Sequence, residues 1–159
     1  MKNIFYFEKM KPFDIWTIGL YMLATITLFF ISVDNDIIHF YVFFLHLGIY
    51  VFLYKSLRNF KVYVIWLAIG GVHFLLFYFL NDFHSINKEV VRFNLLKNTI
   101  PLLLIYQVLR LFSLLIQNKE FVAPNKSSFK DMYDKRTVNF FDYSLFFIYI
   151  GFLVALSLR

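Results

Sequence analysis

Long apolar runs alternate along this chain with short charged connections. Three runs carry no charge over a membrane-crossing length: residues 15–33, 37–54 and 62–80. A fourth, residues 98–117, has the length but contains Arg110, and a fifth, residues 143–158, is short and precedes Arg159. An α-helix rises ~1.5 Å per residue, so ~17–25 apolar residues cross the hydrocarbon layer. The pattern predicts an all-α integral membrane protein, a bundle of about five transmembrane helices, or four if the Arg110 segment lies in the interface.

The connections sharpen this picture. Asp34-Asn35-Asp36 and the stretch from Lys55 to Lys61 are short enough to make neighbouring spans antiparallel and adjacent. There is no internal repeat and no Gly/Ser-rich linker, which predicts a single domain over residues 1–159. Two connections are longer. In residues 81–97, Ile86, Val90, Val91 and Phe93 follow the spacing of a short amphipathic helix on the membrane surface. In residues 118–142, Ser128 and Asp131 resemble a helix N-cap and first-turn acid. Phe129, Met132 and Tyr133 would then share one face, with Lys130, Asp131, Asp134 and Lys135 toward water or headgroups.

Composition strengthens the membrane reading. Hydrophobic residues make up 60% of the chain and charged residues 16%, including 23 Phe and 11 Tyr, more rings than a soluble domain of this length can hide. Cysteine is absent, which removes disulfides and thiolate chemistry. The net charge of +6 lies in the connections, where it carries topology rather than nucleic-acid contacts. One side receives Lys2, Lys9, Lys11, Lys55, Arg58, Lys61, Lys119, Lys126, Lys130, Lys135 and Arg136. The other receives Lys88, Arg92, Lys97 and Arg159. The richer side is expected to be cytoplasmic, with the N-terminus inside, the C-terminus outside, and a bacterial inner membrane as the location. The opening MKNIFYFEKMKPFD lacks an apolar core with a cleavage site, so the first span is expected to remain as an anchor.

Polar residues inside the spans are the candidates for function. Tyr106, Arg110, Ser113 and Gln117 fall on one helical stripe, with Gln107 beside it. A buried arginine is costly, so the stripe is expected to face the bundle interior, an aqueous crevice or a partner. No carboxylate is expected to pair with Arg110 at depth, which disfavours ion-coupled transport. His46 and His73 reach similar depth on adjacent spans, an arrangement compatible with haem or quinone, or with hydrogen bonds to Tyr, Thr or backbone. Ala68, Gly70, Gly71, Gly151 and Ala155 allow close helix approach, and Trp16, Tyr54 and Tyr143 suit interfacial anchors.

Phosphate loops, H-E-x-x-H and G-x-S-x-G are all missing. The expectation is a non-catalytic accessory subunit of a larger inner-membrane assembly, in secretion, translocation or envelope machinery. It would dock through Gln107, Arg110 and Ser113 and through Asp131, Asp134, Lys135 and Arg136. A haem- or quinone-binding redox subunit built on His46 and His73 is the second class, and a small-molecule channel or transporter the third.

Overall fold

The computed structural model describes residues 6–30, 35–84, 92–124 and 137–157. Its described residues form an all-helical bundle without strands. The elements are α1 (Pro12–Phe30), α2 (Asn35–Val51), a 3-10 turn (Ser56–Arg58), α3 (Phe60–His84), a 3-10 segment (Arg92–Asn98), α4 (Thr99–Gln117) and α5 (Phe140–Ser157). Among the described residues, Phe60–Phe79, Leu95–Gln117 and Phe140–Ser157 are long and apolar enough to cross a membrane, and Phe40–Val51 is a shorter apolar helix.

Local chemistry sets the helix ends. Pro12 occupies the first turn of α1, where its missing N–H costs nothing, and the Asp14 carboxylate accepts the Lys11 N–H at 2.9 Å. At the start of α5 the caps are reciprocal. Asn139 Oδ1 accepts the Asp142 N–H at 2.9 Å, and Asp142 Oδ2 accepts the Asn139 N–H at 3.0 Å. α4 stops at Asn118, whose backbone is left-handed (φ 54°, ψ 29°) and whose N–H closes on Leu114 O at 3.1 Å. Asn tolerates that conformation better than other residues with a Cβ, because its short polar side chain bonds locally.

α4 is the centre of the bundle, packed against α2, α3 and α5. It runs antiparallel to α5. Asn98 Nδ2 donates to Leu156 O at 2.7 Å at one end, and Gln117 Nε2 to Asp142 Oδ1 at 2.9 Å at the other. The core between them is aromatic. Tyr50 on α2 stacks on Tyr149 of α5 (4.3 Å, 20°) and meets Phe121 edge-on at 5.3 Å. α1 leans on α3, where Tyr21 meets Trp66 edge-to-face at 5.0 Å.

Two glycines permit the closest approaches. A Cβ on Gly48 would sit 2.9 Å from the Tyr21 hydroxyl, and one on Gly70 would sit 3.0 Å from Ile100 Cγ1. Gly70 therefore packs as its residue type predicts, whereas a Cβ on Gly71 or Gly151 would meet nothing within 4 Å. Ala68, Gly151 and Ala155 are exposed, so the expected small-residue face on α5 is not used within the chain.

Other boundaries shift for physical reasons. α2 ends at Val51 instead of residue 54, because Phe52 and Leu53 both bond back to Gly48 O and the chain turns inward. That turn buries Tyr54 completely, which corrects its assignment as an interfacial anchor. Trp16, by contrast, is 79% exposed one turn into α1, as an anchor would be. The expected surface helix in residues 81–97 falls partly on residues 85–91, outside the described residues; what is described there is the end of α3 and the Arg92–Asn98 segment. The helix expected around Ser128 lies wholly outside them.

Candidate functional site

Two buried polar clusters occupy opposite ends of α4. The first joins four helices through hydroxyls and imidazoles. Gly70 lets the start of α4 approach α3, and this brings Thr99 beside His73, one turn further along. Thr99 Oγ1 lies 3.1 Å from His73 Nδ1, 3.0 Å from His46 Nε2 and 3.0 Å from Leu96 O. His73 Nε2 is 3.1 Å from Thr25 Oγ1 on α1, which is itself 3.0 Å from the Tyr41 hydroxyl on α2. His46, His73 and Thr99 are at most 1% exposed.

Counting protons orders this chain. A threonine hydroxyl has one proton to donate and two lone pairs to offer. Leu96 O can only accept, so the Thr99 proton goes there. His46 then donates from Nε2 and His73 from Nδ1, both into Thr99 Oγ1. His73 Nε2 is left with its lone pair toward Thr25, whose one proton it shares with Tyr21 O at 2.8 Å, and the Tyr41 hydroxyl donates to Thr25. Both imidazoles are neutral in this scheme. The structure thus brings His46 and His73 together, as their depths suggest, but through a shared threonine. In this scheme the remaining imidazole lone pairs are on His46 Nδ1 and His73 Nε2, the latter turned toward Thr25.

The second cluster is ionic. Arg110 forms a fork with Glu120, Nε to Oε2 at 2.8 Å and Nη2 to Oε1 at 3.0 Å, while Nη1 reaches Gln107 Oε1 at 3.4 Å. This corrects the expectation that no carboxylate would pair with Arg110. The left-handed Asn118 reverses the chain just beyond α4, and residues 120–123 return into the end of the bundle. Phe121, Val122 and Ala123 are buried there, and the Glu120 side chain is 16% exposed. Arg58 approaches the same carboxylate at 3.8 Å and donates to Phe121 O at 2.9 Å, with its guanidinium 5.3 Å from the Tyr54 ring centre. The Tyr106 hydroxyl donates to Tyr54 O, and the Tyr50 hydroxyl to Val122 O at 3.4 Å.

The rest of the predicted stripe holds the same segment. Ser113 Oγ donates to Lys119 O at 2.9 Å, and Gln117 bridges Ser113, Asp142 and Asn139. Gln107, Arg110 and Ser113 therefore contact their own chain. Gln107 Nε2 remains buried without a partner among the described residues. Tyr6, ahead of α1, lies under the Arg110 guanidinium at 5.7 Å, and its phenol is pushed up to about 12, first by burial and then by the Glu120 charge. Asp131, Asp134, Lys135 and Arg136 lie outside the described residues.

Among the described residues no group of three His, Asp or Glu is placed to hold a metal ion. The sequence reading missed Thr25, Thr99 and Glu120. Thr99 had a visible signal in its place at the head of an apolar helix. Glu120 had a weaker one, an acid just past a helix that ends in Asn. Comparison of the chain with family models, with curated proteins and with solved structures returns no match.

Proposed function

We propose that this chain is a five-span membrane protein, N-terminus cytoplasmic, that serves as a non-catalytic accessory subunit of a larger bacterial inner-membrane assembly. Three apolar helices long enough to cross, with α1 and α2 beside them, support the span count. Large apolar side chains face outward from every helix, among them Leu20 on α1, Phe44 on α2, Phe79 on α3, Leu115 on α4 and Phe147 on α5. Such a surface suits lipid or another membrane helix.

One observation carries the subunit reading. The described chain on either side of residues 125–136 is fastened to α4. The preceding side is held by Glu120 on Arg110 and by Phe121–Ala123 in the core; the following side by Asn139 and Asp142 on Gln117. Gln107, Arg110 and Ser113 act indirectly in this scheme. They build a stiff base for Asp131, Asp134, Lys135 and Arg136, which make the partner contact. A pre-organised base lowers the ordering cost of binding.

The test is a tagged pull-down from native membranes in mild detergent, with mass spectrometry of what is retained. A stoichiometric membrane complex is expected, lost when Asp131, Asp134, Lys135 and Arg136 are all replaced by Ala while the bundle still elutes as a single species. Recovery of no stoichiometric partner would sink the reading. Reporter fusions at the two ends check the topology, which requires them on opposite sides.

A further inference from the structure

A cavity of about 290 Å³ opens between the start of α1, the end of α2 and the Ser56–Arg58 turn. Four cations stand in its wall: Lys9, Lys11, Lys55 and Arg58. Lys9 and Lys11 are exposed, and their ammonium groups make no hydrogen bond or ion pair among the described residues. Against the two acids of the wall, Glu8 and Asp14, and with Arg58 shared with Glu120, the lining keeps a positive balance that favours an anion with several oxygens.

The wall is not uniformly basic. Of its two acids, Glu8 is exposed and Asp14 is only 3% exposed. Its Oδ2 is engaged by the Lys11 N–H, but its Oδ1 is buried and accepts nothing among the described residues. A buried carboxylate oxygen without a donor is costly, so a ligand that brings a donor is preferred over a bare anion. Phe13 and Phe52 complete the wall and are 52% and 51% exposed. They sit at the rim where α1 and α2 begin to show apolar surface, close to the exposed Trp16.

We propose that this cavity binds the headgroup of a phospholipid carrying both a phosphodiester and a hydrogen-bond donor, of the ethanolamine or glycerol class. Lys9 and Lys11 take the phosphate oxygens, with Lys55 and Arg58 adding positive potential from the wall behind. The ammonium or hydroxyl of the headgroup donates to Asp14 Oδ1. The acyl chains leave over Phe13 and Phe52 into the bilayer. A choline headgroup has the phosphate but no donor, and free phosphate has no chains for the aromatic rim. The inference requires only that this end of the bundle meets a membrane, so it stands whether or not a partner subunit is found.

The experiment is native mass spectrometry of the delipidated full chain in mild detergent, titrated with short-chain phosphatidylethanolamine, phosphatidylglycerol and phosphatidylcholine. Inorganic phosphate and glycerophosphoethanolamine serve as soluble competitors. The first two lipids are expected to bind tighter than phosphatidylcholine. K9Q/K11Q should weaken all three, by about fivefold for each lysine removed. Asp14→Asn keeps an oxygen for the Lys11 N–H and should erase the preference over phosphatidylcholine while leaving phosphatidylcholine affinity as it was. Gel filtration and helix content confirm that both variants are folded. Equal binding of all three lipids by parent and variants overturns the proposal. So does displacement of lipid by inorganic phosphate or glycerophosphoethanolamine at concentrations equal to the lipid's own, which would make the cavity a site for soluble phosphates.

Discussion

Arg110 and Glu120 are separated by ten residues and the end of a helix, yet their side chains lock as a two-point fork at 2.8 and 3.0 Å. The arginine is 1% exposed and the carboxylate 16%, so neither charge has free access to water. Forked arginine–carboxylate pairs combine strength with direction, which fixes the returning segment in one orientation.

Breaking the fork from one side leaves a buried charge behind. Arg110→Leu or Glu120→Leu is each expected to cost ~3–5 kcal/mol, while the double variant should cost much less than the sum. Detergent-denaturation curves of the purified chain measure this cycle. Additive single effects would mean that the two side chains are not coupled.

Asn118 tests the reversal itself. Its side chain is exposed, so substitutions there act on the backbone. Asn118→Val is expected to cost ~1–2 kcal/mol because a β-branched residue resists the left-handed region, whereas Asn118→Gly should be near neutral. Equal stability of the two variants in thermal unfolding would argue against the φ of 54° seen here.

Much of the helical layout was legible in the sequence, since each apolar run maps onto one helix within a few residues. The stripe of Tyr106, Arg110 and Ser113 was also legible, because a 3.6-residue period fixes one face and polar residues in an apolar helix avoid lipid. What that face would meet was not. Glu120 reaches Arg110 only because Asn118 turns the chain back, and a single left-handed residue leaves no periodic trace. The His46–His73 proximity followed from counting depth along two spans, yet the threonine between them comes from a third helix. Tyr54 was misread for a related reason, since its ring sits at the end of an apolar run but under Arg58, and its carbonyl accepts the Tyr106 hydroxyl.

Alkaline pH should loosen the ionic cluster through Tyr6. Its folded-state value is raised from 10.0 to about 12, so the neutral phenol is the form the fold accepts. Its contribution is complete below the unfolded value and lost as pH rises through the folded one, a window from 10.0 to about 12. Thermal unfolding followed across that window should fall less steeply in Tyr6→Phe than in the parent. Identical slopes would place the Tyr6 phenol in water.

Thr99 is expected to be the most sensitive position of the second cluster. It is fully buried, and it accepts from two imidazoles while donating to Leu96 O. Thr99→Val preserves shape but removes the oxygen, so His46 Nε2 and His73 Nδ1 both lose their acceptor in a dry interior. An unsatisfied buried donor costs ~1–3 kcal/mol, and two at once should destabilise the bundle by several. Thr99→Ser keeps the hydroxyl and should lose only the packing of one methyl, on the order of 1 kcal/mol. The proton scheme adds a spectroscopic signature. Imidazole nitrogen-15 spectra of the parent should show the Nε2–H form for His46 and the Nδ1–H form for His73. In Thr99→Val the His73 Nδ1–H loses its acceptor, and His73 should shift toward the Nε2–H form, which donates to Thr25 while Thr25 donates to Tyr21 O. Were Thr99→Val as stable as Thr99→Ser, with the tautomers unchanged, the shared threonine would not be what joins the two histidines.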